Sequence, residues 1–197
     1  MSDFGPLVRL EAAAFIHPTA QIYGDVKIGR GSSVWINVAM RAEVFAIDIG
    51  AHTNIQDFAM IHVGATTPTT IGDYCSITHH CTIHGCTIED NCLIGINATI
   101  MDGAVIGANS IVAGGAFVRE GTVVPPNSIV MGMPARVAKT RNNWIANRFN
   151  AFLYEQNAAA YSRGEHRVWA DPAGQDAANK HMDTLRTEFA RLHGETP

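Results

Sequence analysis

The chain contains nine histidines, and four of them, His62, His79, His80 and His84, fall close together. Neutral imidazole is the commonest metal-ligating side chain, and three imidazoles on a zinc-like ion leave a fourth position for water, as in catalytic rather than structural sites. His62, His79 and His84 can hold such an ion only if the chain brings them to one point. Whether it does depends on the elements that carry them.

An aliphatic residue returns at every sixth position over most of the chain. The series runs Ile16, Ile22, Ile28, Val34 and Met40, then Ile49, Ile55 and Ile61, then Ile71, Ile77 and Ile83, then Ile88, Ile94, Ile100, Ile106, Val112, Val118, Val124 and Val130. Four places later comes a small or slender residue, among them Ala20, Val26, Ser32, Thr53, Ala59, Ala98, Ala104, Ser110, Ala116 and Ser128. A strand of one hexapeptide cannot bury its apolar edge alone, so successive strands must stack, and three per turn make a triangular coil of about 18 residues. The expected fold class is mainly β: a single-stranded left-handed parallel β-helix over residues 16–135, after a lead-in over 1–15. Antiparallel hairpins fit poorly, because strict alternation and two-residue turns are missing. Gly29, Gly50, Gly72 and Gly107 mark one recurring corner as turn-permissive, and the irregular steps near 46–48 and 67–70 fall just before it.

Cys75, Cys81 and Cys92 occupy the small-residue slot and read as packing residues, with Cys86 slightly off it. After Pro134 the pattern stops. Residues 136–197 read as a C-terminal helical segment packing on the coil, with a linker near 170–175. Ile145, Phe149, Phe152 and Leu153 mark the apolar face of one helix, and Met182, Leu185, Phe189 and Leu192 that of a second.

The repeat places the histidines. His62 follows Ile61 and His84 follows Ile83, one coil later, so the two stack on one face with strands about 4.8 Å apart. His79 sits two places after Ile77, around a corner of the triangle. It completes a three-histidine site only if a neighbouring subunit brings that side against His62 and His84, as a closed homotrimer does. Arg41 stacks beneath His62, and Asp57 beneath His79 with Gln56 beside it, while His80 reads as a bystander. The bland alternative is a set of solvated or interface histidines, with Arg41 and Asp57 in an interface ion pair.

At these residues the chain resembles the gamma-class carbonic anhydrase family, over about residues 10–160. VWINVAMRAE is similar to the family strand ending in Arg-Gly-Asp, and TNIQDFAMIH to its Asn-Ile-Gln-Asp stretch ending in a histidine ligand. THHCTIHGCTI is similar to its pair of histidine ligands five apart, and IVAGGAFVREG and VMGMPARV also look like family segments, a form shared with hexapeptide acyltransferases. The resemblance implies reversible hydration of carbon dioxide to bicarbonate by a metal-bound hydroxide. It implies zinc, with Fe2+ or Co2+ as alternatives, on His62, His79 and His84 between the subunits of a homotrimer. It gives Gln56 the orientation of the attacking water, gives Arg41, Glu43 and Asp57 the support of ligands and interface, and brings Tyr154 towards the site from the C-terminal helix. The chain departs from the family in three places. Glu43 stands for the usual aspartate, Thr78 for the usual glycine, and the GATTPTT insertion lacks the acidic loop that carries a proton-shuttling glutamate in the archaeal prototype.

Composition narrows the partners. With 197 residues, 47% hydrophobic content and a net charge of -4 on only 14 basic residues, the chain suits one core plus an appendage and offers no basic field for nucleic acid. No apolar run reaches a membrane span of about 18 residues, and the N-terminus lacks a secretion signal, so a cytoplasmic location is expected. Two other functions fit the same fold. One is an acyl-coenzyme A-dependent acyltransferase or thioesterase, which needs one histidine base; the other is a non-catalytic metal-binding or assembly protein.

Overall fold

The computed structural model describes residues 4–12 and 15–194, so parts of the expected lead-in and C-terminal segment (1–3, 13–14 and 195–197) lie outside the described residues. The strands coil into a parallel, three-sided β-helix. One side stacks Phe15–Ile16, Ser33–Val34, Asn54–Ile55, Ser76–Ile77, Leu93–Ile94, Ile111–Val112 and Ser128–Gly132 in that order. The other two sides share an 11-stranded sheet, because the long strands Gln21–Ile28 and Ala39–Ile49 run through the corner between them. Each six-residue step returns an aliphatic side chain to the interior. Ile55, Ile77, Ile94 and Val112, one above another, are all fully buried.

The corners answer a backbone question that the period leaves open. At two of them the chain turns through left-handed conformations held by Asn37, Phe58, His80 and Asn97 on one edge, and by His52, Tyr74, Asn91, Asn109 and Asn127 on another. Asparagine tolerates this region better than most residues, so its recurrence marks the turns. The glycines expected to bend the chain do a different job: a Cβ at Gly50 would meet the carbonyl carbon of Gly72 at 2.5 Å, so close stacking of backbones excludes any side chain there.

All four cysteines, Cys86 included, are free and buried among the core residues. Burial pushes the Cys81 thiol up to about 11 and Cys86 up to about 12, and burial followed by contact with Cys92 drives Cys75 well above its ordinary value. The thiolate is the reactive form, so the native chain should resist a disulfide reagent at about pH 8 while the guanidinium-unfolded chain reacts fully. A rapidly reacting thiol in the native protein would show that the small-residue slot opens to solvent.

The ends of the coil correct the expected boundaries. Arg9–Leu10 already pairs with the first full coil, so part of the lead-in is strand. Residues 136–140 are not helical: Ala135–Thr140 folds back antiparallel on Ser128–Gly132 and covers the edge that the last coil would otherwise expose. Helix α1 spans Trp144–Tyr161 and helix α2 spans Pro172–His193. The expected linker near 170–175 is displaced, because Pro172 opens α2, where its fixed φ and missing N–H suit a first helical turn; the connection lies before it and includes the short helix Val168–Ala170.

Helix α1 lies across the side built on Asn54–Ile55 and Ser76–Ile77. Polar pegs fix it there. Asn147 Nδ2 donates to the carbonyls of Asn91 (2.8 Å) and Ser110 (3.1 Å), Asn143 Nδ2 to that of Asn109 (3.1 Å), and Asn91 Nδ2 to that of Trp144 (3.1 Å). Helix α2 packs on α1 through Leu185 and Phe189 against Trp144, with Ile145 and Phe149 at the margin. Leu192, expected on that apolar face, is 54% exposed, since α1 offers no surface opposite the last turn of α2. No described helix is long and apolar enough to cross a membrane.

Candidate metal centre

Register brings Arg41, His62 and His84 into one column: Arg41 pairs with His62, and His62 with His84, on adjacent parallel strands. Their side chains leave the same face, and His62 Nδ1 lies 3.0 Å from His84 Nε2. The outer nitrogen of each ring meets a carboxylate. His62 Nε2 is 3.0 Å from Glu43 Oε2, and His84 Nδ1 is 2.5 Å from Asp102 Oδ1. Arg41 pairs in turn with Glu43. Desolvation acts to raise the Glu43 carboxyl, and the hydrogen bond from His62, a backbone bond and the charge of Arg41 together lower it on balance.

These contacts decide whether the pair suits a metal. A neutral imidazole carries one N–H, and a carboxylate beside one nitrogen draws the proton to that side. Glu43 on His62 Nε2 and Asp102 on His84 Nδ1 favour the tautomers in which the two nitrogens that face each other both present lone pairs. Lone pairs 3.0 Å apart repel unless a cation or proton lies between them. Two ligands on a tetrahedral ion with bonds of about 2.0–2.1 Å are separated by roughly 3.3 Å, so the pair fits a zinc-like ion after a small ring adjustment.

His79 stands elsewhere. It follows Ser76–Ile77 at the corner of the triangle, with Nδ1 3.1 Å from Asp57 Oδ2, a contact that favours the tautomer with Nε2 free to coordinate. Among the described residues no three metal-capable side chains of one chain converge. His80, next to His79, stacks on Phe58 with rings 4.9 Å apart and nearly parallel.

The remaining expected residues gather near His79 rather than near His62 and His84. Gln56 is buried, its Nε2 donating to Asn54 Oδ1 at 2.9 Å, and Asn54 donates onward to Ser76 Oγ at 2.9 Å. Thr78 turns its hydroxyl back onto the carbonyl of Ile94 at 2.6 Å. Tyr154, on α1, lies edge-on to Trp35 and Trp169, and burial followed by the charges of Asp57 and Tyr161 pushes its hydroxyl up to about 12. It therefore stays a protonated donor at neutral pH beside Asp57. Asp102 went unnoticed in the sequence. Its signal was available, since Ile83 pairs with Ile100, which sets Asp102 one residue past the position above His84.

Residues 85–120 match the family model described as bacterial transferase hexapeptide (six repeats). The probable carbonic anhydrase of Methanocaldococcus jannaschii is 62% identical over 120 residues, covering 61% of this chain and 76% of that protein. Gamma carbonic anhydrase 1, mitochondrial, of Arabidopsis thaliana is 44% identical over 106 residues, covering 51% of this chain but only 38% of the plant protein, so the chain spans well under half of that relative. Among solved structures, a hexapeptide transferase family protein from Anaplasma phagocytophilum has a TM-score of 0.71 and 31% identity, covering 82% of this chain and 95% of that one. Identity at this level over three quarters of the archaeal relative identifies the chain as a member of the gamma-class carbonic anhydrase-like family of hexapeptide-repeat enzymes.

Proposed function

We propose that the chain catalyses the reversible hydration of carbon dioxide to bicarbonate, as a homotrimer in which His62 and His84 of one subunit and His79 of the next hold a divalent ion. Zinc suits three imidazoles, and Fe2+ and Co2+ are alternatives with the same ligand preference. The observation that carries the reading is the arrangement of the three histidines, each with one ring nitrogen on a carboxylate and the other left to coordinate. A bound ion supplies Lewis acidity, lowering the pKa of a water from 15.7 towards about 7, so that a nucleophile for carbon dioxide exists near neutrality.

The chain supplies the rest. Glu43, Asp102 and Asp57 orient the three rings, and Arg41 holds Glu43 in place. Gln56, with its amide nitrogen fixed on Asn54, keeps Oε1 to accept a hydrogen bond from the attacking water. Hydration turns CO2 and H2O into bicarbonate and a proton, and the proton leaves through Glu43, His80 or buffer. An acyltransferase remains the rival reading, favoured by the transferase-like structures of the same fold, but one general base does not call for three carboxylate-oriented histidines.

Metal analysis of anaerobically purified protein, with stopped-flow hydration of carbon dioxide and an acetyl-coenzyme A assay beside it, separates the two. His84→Ala should lose both the metal and the hydration activity, whereas His80→Ala keeps the metal. Equal metal content in these variants would defeat the proposed ligand set, and acetyl transfer without metal-dependent hydration would favour the rival.

A further inference from the structure

We infer that Asp102 is the positioning residue that makes His84 a metal ligand, and that the loop from Gly64 to Thr69 holds it in place; this role rests on the metal-centre reading above. Asp102 reaches His84 from the next coil. The backbone delivers it firmly, since Gly103 N donates to the carbonyl of Gly85 at 2.7 Å and Ile83 pairs with Ile100.

The surroundings of the carboxylate are built of missing side chains. A Cβ on Gly85, which sits at φ +55, would meet Asp102 Oδ1 at 2.2 Å and Thr67 Oγ1 at 2.4 Å. One on Gly64 would meet the same two atoms at 2.8 and 2.2 Å. The carboxylate and the Thr67 hydroxyl thus occupy space that any larger residue at 64 or 85 would take. Thr67 Oγ1 is buried there, has no hydrogen-bond partner among the described residues, and shares this space with the Asp102 carboxylate. The loop is tied at three points: Gly64 N to the carbonyl of Thr67 at 2.9 Å, Thr69 Oγ1 to the carbonyl of His62 at 2.5 Å, and Gly85 N to Thr69 Oγ1 at 2.9 Å. An insertion that looks like a spacer in the sequence therefore joins the strands of both stacked histidines and lies beside the Asp102 carboxylate.

The consequence is a fixed tautomer. With Nδ1–H given to Asp102, His84 keeps its Nε2 lone pair towards His62; without the carboxylate, the proton is free to sit on Nε2 and block coordination.

The test uses the full chain with Asp102→Asn, Asp102→Ala and Gly85→Ala, each checked for native circular dichroism. Zinc affinity is read by competition with a chromogenic chelator, and the His84 tautomer of metal-free protein by its ring 15N shifts. Asp102→Ala should weaken zinc binding about 10- to 100-fold and move the His84 proton to Nε2. Asp102→Asn, whose Oδ1 still accepts a hydrogen bond, should fall between wild type and Asp102→Ala. Gly85→Ala, which displaces the carboxylate without removing it, should also weaken zinc binding. Zinc affinity in Asp102→Ala within about twofold of wild type, or an Nε2-protonated His84 in the wild type, would overturn the role. Failure of the wild type to bind zinc would instead bring down the metal-centre reading, and the metal-free tautomer distinguishes the two failures.

Discussion

Chains carrying His79→Ala, refolded together with chains carrying His62→Ala and His84→Ala, should regain zinc at roughly a quarter of all sites, although each variant alone is metal-poor. The expectation follows from where the histidines stand. His62 and His84 face each other on one side of the coil, and His79 occupies a corner served by a different sheet. In a cyclic trimer each site takes the stacked pair from one chain and His79 from the next. A site is complete when a chain with an intact pair precedes a chain with intact His79, and every mixed trimer contains one such step. Random assembly makes about three quarters of trimers mixed, and one site in three of those gives the quarter. Hydration activity should recover in the same proportion. Zinc recovery indistinguishable from zero in trimers shown to be mixed would mean that the three histidines do not meet across an interface, and the proposed enzyme would fall with them.

The coil was legible in the sequence because its rule is local. An inward position every six residues must be aliphatic, a second must be small, and Ile55, Ile77 and Ile94 satisfy that demand wherever the insertions fall. The stacking of His62 on His84 follows from the same count. What escaped depends on neighbours that are distant in the chain. Asp102 matters because it stands one residue past the in-register position above His84 and turns its carboxylate back onto that ring, and a period gives the position but not the direction in which the side chain turns. The role of Gly50 was misread for a related reason: a glycine at a corner suggests a bend, but the constraint comes from the backbone of Gly72 in the next coil. Helix ends were obscured by residues with two meanings. Pro172 reads as a loop residue and serves as a helix start, and Leu192 keeps helical spacing where no partner surface remains. Asn143, the residue that precedes α1, and Asn147 lie four apart, a spacing that turns both towards the coil, and polar residues on a packing face signal specific docking.

Asn147→Asp should therefore be among the most damaging single-atom exchanges in the chain, destabilising the docking of α1 by about 3–5 kcal/mol, the range for uncompensated buried charge. Asn147 is 1% exposed, and its amide nitrogen donates to two carbonyls, those of Asn91 and Ser110. Aspartate preserves the shape and reverses the chemistry, setting acceptor against acceptor where water cannot intervene. Asn147→Leu separates the two parts of the loss: the Ser110 carbonyl keeps its bond from Leu93 N, so only the Asn91 carbonyl is left without a donor, at about 1–3 kcal/mol, and no charge is buried. The order wild type, Leu, Asp is thus expected in urea unfolding. The damage should be local, because neighbouring coils support one another and α1 lies outside them. Hydrogen exchange should rise across Trp144–Tyr161 while the amides of Ile77, Ile94 and Val112 stay protected. The acid dependence supplies an independent check. A buried carboxyl facing carbonyls has a raised folded-state pKa, so the aspartate variant takes up a proton as the pH falls through that value, regains one donor, and its deficit relative to wild type shrinks; in the leucine variant the deficit does not change. Equal stability of the aspartate variant and wild type at neutral pH would show that the asparagine pegs do not hold the helix, and that its apolar contacts alone keep Tyr154 beside Asp57.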